Sequence, residues 1–138
     1  MRVLVDTNII LDVALQRENF FVDSDNILKL CRDKKISGVL AAHTITNLFY
    51  ILRKKFSNEK CREIITDLLV FMKVEPLNIE RISRALLNKN FKDFEDCLQV
   101  ECAKAANVDY IITRDKTDFA ESEISCVTPN EFCCMFSE

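Results

Sequence analysis

A chain of 138 residues, 49% of them hydrophobic, can bury one core but is short for two, so a single domain over residues 1–138 is expected. One Gly, two Pro and no apolar run near the roughly 20 residues of a membrane span argue against linker-rich, low-complexity or membrane-crossing architectures. The net charge of −3 excludes a general nucleic-acid coat, although a local basic rim around an acidic site is compatible with it.

The chain opens with "RVLVDTNIILDV". Arg2 to Val5 reads as a strand, and Asn8 to Leu15 as a helix. Asp6 stands between these two apolar segments, where burying an unpaired carboxylate costs several kcal/mol. Either Asp6 caps the helix or something positive meets it. Ser24 to Lys35 places Ile27, Leu28, Leu30 and Cys31 on one helical face, with Ser24 or Asp25 as cap. Ile36 to Ala42 is a second strand. His43 to Phe56 is a helix with Thr44 as N-cap and a basic end, and Ser57 to Met72 is another, with Ser57 at its start. Lys73 to Leu77 is a weak third strand, and Ile79 to Leu87 a short helix. Asp93 to Ala106 is a long helix leading into a fourth strand, Val108 to Thr113. A polar loop, a strand at Ile124 to Val127 and a helix at Pro129 to Met135 complete the chain. Strands separated by helices predict a mainly parallel sheet covered on both faces, with the working site beyond the carboxyl ends of the strands.

The acids fall at those ends. Asp6 follows the first strand, and Asp115 and Asp118 follow the fourth. Asp93 and Asp96 open the crossover helix that feeds the fourth strand; three apart, they share a face with Cβ atoms about 5–6 Å from each other. Each has a bland explanation: a helix cap for Asp6 or Asp93, the macrodipole for Asp96, an Asx turn for Asp115 or Asp118. Their joint placement points instead to convergence, which a hard divalent cation such as Mg²⁺ would relieve. One His excludes a multi-histidine zinc site, so oxygen-only coordination is expected. Such a cation activates water and stabilises charge developing on phosphorus.

Seven cysteines form no C-x-x-C pair and no Cys/His metal spacing. With Met1 running directly into a strand rather than a signal peptide, they predict a reduced, cytoplasmic protein whose thiols are small core hydrophobes.

"VLVDTNIILD", "DFEDCLQVECAKAANVDYIITRDKTDF" and "TPNEF" together resemble PIN-domain ribonucleases across nearly the whole chain, and "TITNLFYILRKK" is similar to one bacterial branch of that family. The resemblance implies a three-layer α/β/α fold with a mainly parallel five-stranded sheet. It implies Mg²⁺- or Mn²⁺-dependent cleavage of RNA, often as the VapC-like toxin of a toxin–antitoxin pair, with a small antitoxin partner, a homodimer and no membrane. Carried over by position, Asp6 and Asp96 match metal carboxylates, Asp93 the acid preceding the latter, and Asp115 and Asp118 the closing positions, Asp115 as a third metal ligand. Thr7 and Asn8 match the pair orienting the first acid. Thr113 and Arg114 flank the closing positions. Asn47 stands where relatives often carry Glu; an amide brings no charge and is a poor base. That substitution keeps open a catalytically weak or inactive module binding RNA or protein. Arg53, Lys54, Lys55, Lys60, Arg62 and Lys116 could hold phosphates, or be dipole-favoured surface cations. A phosphotransfer enzyme on a similar sheet is disfavoured, because Asn8 replaces the acid expected two residues after a nucleophilic Asp.

Overall fold

Aliphatic and β-branched runs form five strands: β1 (Arg2–Val5), β2 (Ser37–Ala41), β3 (Met72–Glu75), β4 (Tyr110–Ile112) and β5 (Cys126–Val127). They lie in the order β3-β2-β1-β4-β5, and all four pairings are parallel. Parallel neighbours require crossovers. Helices supply them: α1 (Thr7–Ala14), α2 (Phe21–Arg32), α3 (Ala42–Leu52), α4 (Asn58–Leu69), α5 (Ile79–Leu87) and α6 (Phe94–Ala105), with α7 (Pro129–Ser137) following β5. The computed structural model describes residues 1–137.

Alternation along the strands divides the core. Val3, Val5, Leu40 and Ile112 pack with Ile9, Ile27, Leu48, Ile65 and Phe132 from α1, α2, α3, α4 and α7. Leu4, Val39, Ala41 and Ile111 face the other way, onto Val100, Cys102 and Ala103 of α6. α5 joins this second layer through Ala85, which packs with Cys97 and Leu98. The expected three-layer α/β/α arrangement is therefore present. The chain runs outward from β1 to β2 and β3, then returns to the other side of β1 for β4 and β5. The strand order thus reverses between β1 and β4, and their carboxyl ends flank the crevice that this topology opens.

Two expected caps differ. α2 starts at Phe21, so neither Ser24 nor Asp25 caps it; Ser24 is buried, and its hydroxyl donates to Asp12 Oδ2 at 3.0 Å. α3 starts at Ala42 directly after β2, which puts Thr44 inside the helix. There its Oγ1 lies 3.1 Å from Thr7 Oγ1, tying α3 to α1. Ser57 and Asp93 do cap, accepting from the N–H groups of Lys60 and Asp96. β3 begins at Met72 because that residue pairs with Gly38. A Cβ at Gly38 would stand 2.6 Å from Met72 Sδ and 2.7 Å from Cys31 Sγ, so no other residue fits without repacking.

Asp12 is a fully buried carboxylate within the apolar face of α1. Arg17 Nη1 donates to its Oδ1 at 3.2 Å and Arg114 Nε to its Oδ2 at 3.0 Å, alongside Ser24. One anion thus joins α1, α2 and the segment after β4. Asp12→Ala removes the shared acceptor, and urea unfolding is expected to show a loss of about 3 kcal/mol, the low end for a broken buried pair because both arginines reach solvent. A change below about 1 kcal/mol would contradict this role.

Candidate active site

Asp6 leaves β1 in an extended conformation and occupies the N-cap position of α1, but its side chain makes no capping bond. It is 6% exposed and turned toward the crevice between β1 and β4. Gln99 Nε2 of α6 donates to Oδ1 at 2.9 Å, and Thr113 Oγ1, at the end of β4, donates to Oδ2 at 2.9 Å. The Asp115 N–H donates in turn to Thr113 Oγ1 at 3.1 Å. Burial pushes the Asp6 pKa up, against the bonds from Gln99, Thr113 and the Thr7 backbone and the more distant charge of Arg114. What meets Asp6 is chiefly a pair of neutral donors, one of them unforeseen from the sequence: Gln99.

Asp96 sits half-buried in the first turn of α6, one turn before Gln99. Its pKa is pushed up to about 7, first by burial and then by the charges of Asp93, Asp6, Asp118 and Glu95. Asp118 is also raised, by desolvation, then by Asp115, with Asp6 and Asp93 adding to it. The structure therefore brings Asp6, Asp93, Asp96 and Asp118 into one electrostatic unit with Glu95. Asp93 additionally caps α6, with its Oδ1 3.0 Å from the Asp96 nitrogen. Asp115 caps the 3-10 turn Lys116–Phe119 through the Thr117 N–H and acts on its neighbour Asp118. Asp115 and Asp118 thus both lie on the segment that follows β4, Asp115 as the cap of its turn and Asp118 among the charges that raise Asp96.

A cleft of about 320 Å³ is lined by Asp6, Thr7, Asn8, Asn47, Glu95, Asp96 and Gln99, with His43, Tyr50 and apolar Leu11 and Ile51. A second, of about 330 Å³, runs past Asp93, Asp96, Asp118 and Glu121. Asp96 belongs to both and stands where they meet. Asn8 accepts a long bond from Arg17 Nη1 at 3.4 Å. Asn47 Nδ2 donates to Glu95 Oε2 at 3.2 Å. His43 Nε2 lies 3.1 Å from the Glu95 carbonyl, which can only accept, so that nitrogen carries the proton. Burial holds the His43 pKa down and leaves Nδ1 without a partner. Arg114, which flanks the closing acids in the sequence, turns its guanidinium to Asp12 and stacks 4.1 Å over the Phe20 ring.

Among the described residues, no three His, Cys, Asp or Glu side chains are grouped so as to hold a metal ion as they stand. The donor chemistry nevertheless fits a hard divalent cation. All the converging groups are oxygen donors, and the repulsion that raises Asp96 is what such a cation removes. The Gln99 Oε1 atom, buried without a partner beside Asp6 and Asp96, is a further oxygen of the same kind.

A family model described as "PIN domain" matches residues 2–117. Ribonuclease VapC1 of Aquifex aeolicus (strain VF5) is 28% identical over 136 residues, spanning 96% of this chain and 93% of that protein. Among solved structures, VapC20 of Mycobacterium tuberculosis, described as a sarcin-ricin loop cleaving toxin, has a TM-score of 0.69 at 12% identity, covering 88% of this chain and 95% of that one. VapBC2 from Rickettsia felis, bound to a DNA fragment from its promoter, has a TM-score of 0.68 at 15% identity, covering 93% and 98%. At these identities the structural likeness concerns the fold.

The raised Asp96 pKa predicts a pH signature in metal-free protein. Its ordinary value is 3.8, so the folded state loses stability as pH rises from there through about 7, where the side chain must ionise among like charges. Asp96→Asn is expected to raise the melting temperature in EDTA most at pH 8, with the gain shrinking toward pH 4. A gain independent of pH would contradict the coupling.

Proposed function

The chain belongs to the PIN-domain family, and on that premise we propose that it is a metal-dependent endoribonuclease that hydrolyses RNA phosphodiester bonds with Mg²⁺ or Mn²⁺. The observation that carries this reading is the meeting of Asp6 and Asp96, from opposite ends of the chain, in one acid-lined cleft. In this reading Asp6 and Asp96 hold the cation, with Asp118 or Asp115 closing the site and Asp93 fixing the start of α6. When bound, the cation lowers the pKa of the attacking water and neutralises charge on phosphorus. Gln99 and Thr113 keep both Asp6 oxygens oriented, while Thr7, through its contact with Thr44, sets the entry of α1.

RNA reaches the cleft along the end of α3. Tyr50, 56% exposed, lines the cleft and carries Arg53 4.5 Å and Lys54 5.4 Å from its ring centroid. Arg62 lies 5.9 Å from Phe49 behind it. Cations beside an exposed ring suit single-stranded RNA, whose phosphates meet charge while a base meets the ring. The same reading places the protein in the cytoplasm, where the seven unpaired thiols stay reduced. No helix among the described residues is long and apolar enough to cross a membrane. It also makes the protein the toxin of a toxin–antitoxin pair. This is supported by the name of the Aquifex relative and by likeness to complexes such as VapBC-1 from nontypeable Haemophilus influenzae (TM-score 0.68, 17% identity, 94% of this chain and 99% of that one). A homodimer would cover exposed Ile79, Leu86 and Leu87 on α5.

The second reading, a non-catalytic module that binds RNA or protein, is favoured by one observation: among the described residues the acids do not form a closed ligand set by themselves. The two readings separate in a cleavage assay. Purified protein with Mn²⁺ is expected to cut RNA, EDTA to stop it, and Asp6→Asn or Asp96→Asn to lower the rate by about 10²–10³-fold. Equal cleavage by wild type and both variants would mean contamination and reject the enzyme. For the RNA path, Arg53→Glu in the Asp96→Asn background is expected to weaken RNA binding and flatten its salt dependence by about one phosphate contact. An unchanged slope would remove this face from the path.

A further inference from the structure

Glu95 is exposed on the first turn of α6, a position that the helix dipole alone makes favourable for an acid. It is nonetheless held twice, both times from α3. His43 Nε2 donates to its main-chain carbonyl at 3.1 Å, and Asn47 Nδ2 donates to its carboxylate Oε2 at 3.2 Å. Ordering a surface glutamate costs side-chain entropy that a dipole effect does not require. The restraint also fixes where the charge sits: Glu95 lines the same cleft as Asp6, Asp96 and Gln99. A separate observation concerns another residue that lines this cleft. Gln99 is 3% exposed, its amide nitrogen is used by Asp6, and its Oε1 is buried with nothing bonded to it.

We propose that Glu95 is a further cation-binding acid of this cleft, with Asn47 setting its carboxylate on the α3 side. The proposal rests on the metal-dependent reading above and names a residue for it. Asn47 has no charge of its own, so α3 contributes to the cation only by holding an acid that belongs to α6. The side chains at 47 and 95 are in contact, so a carboxylate moved from position 95 to position 47 stays beside the cleft.

That relocation is the test. Mn²⁺ binding to the purified, RNA-free full chain is followed by the electron paramagnetic resonance signal of free Mn²⁺, with RNA cleavage and melting temperature measured on the same preparations. Glu95→Gln is expected to weaken Mn²⁺ binding roughly 10–100-fold, as loss of an orienting or ligating group at a metal site does. The double change Asn47→Glu with Glu95→Gln is expected to recover most of that loss, and cleavage at limiting Mn²⁺ to follow the same order. The melting temperature of Glu95→Gln in EDTA should not fall, which separates cation binding from a merely structural role. Wild-type Mn²⁺ affinity in Glu95→Gln, with Asp96→Asn still losing it, would overturn the assignment of Glu95 and leave the metal-dependent enzyme standing. No Mn²⁺ uptake by wild type, with or without RNA, would overturn both.

Discussion

A carboxylate buried at the carboxyl end of the central strand is the constraint around which this site is organised. Asp6 is almost inaccessible, and an uncompensated charge there would cost several kcal/mol. Its two oxygens are met by Gln99 from α6 and Thr113 from β4, so β1, β4 and α6 must be in register for the charge to be tolerated. Parallel pairing of Val5 with Ile112 supplies that register, because it sets the residues just beyond the two strand ends side by side. The reversal of strand order puts the crevice at the same place. Fold and site therefore share one requirement.

The rest of the acidic cluster is an unfavourable arrangement that the fold sustains. Burial first, and then the charges of Asp93, Asp6, Asp118 and Glu95, push the Asp96 pKa up to about 7. Helix geometry keeps it there: Asp93 caps α6, and the helix buries Cys97 to Ala103 against the sheet and α5, so its first turn cannot swing away. Asp12 is the contrasting case. It too is a buried anion, but two arginines and a serine meet it, and it has no opening to the cleft. One carboxylate is neutralised inside the protein and serves packing; Asp96, by contrast, lines the cleft facing other acids.

Much of this was legible in the sequence. The alternation of strands and helices, the adjacency of β1 and β4, and the caps at Ser57 and Asp93 follow from local pattern. So does the presence of Asp6 and Asp96 at one end of the sheet. What escaped was set by tertiary contact. Gln99 lies in the mostly apolar stretch CLQVECA, which also holds Glu101; an amide three residues after Asp96 was the available signal, but nothing local says that it reaches Asp6. Glu95 reads as a solvent-facing first-turn acid until α3 is seen to grip it. Asp12 interrupts an apolar helix, a visible anomaly whose partners come from two distant segments. Arg114 follows β4 beside the acids and its charge reaches Asp6, but no local pattern reveals that Asp12 and Phe20 hold its guanidinium. Thr44 escaped because α3 begins without a loop after β2.

The proposed function rests on one physical reading, that Asp6 and Asp96 share a divalent cation. The most direct measurement is a crystal structure of the protein grown with Mn²⁺, with the ion located by its anomalous scattering. The account predicts a peak within ligand distance, about 2.0–2.3 Å, of oxygens from Asp6 and Asp96. An ordered cleft with no anomalous peak, or a peak bound only elsewhere on the surface, would contradict it.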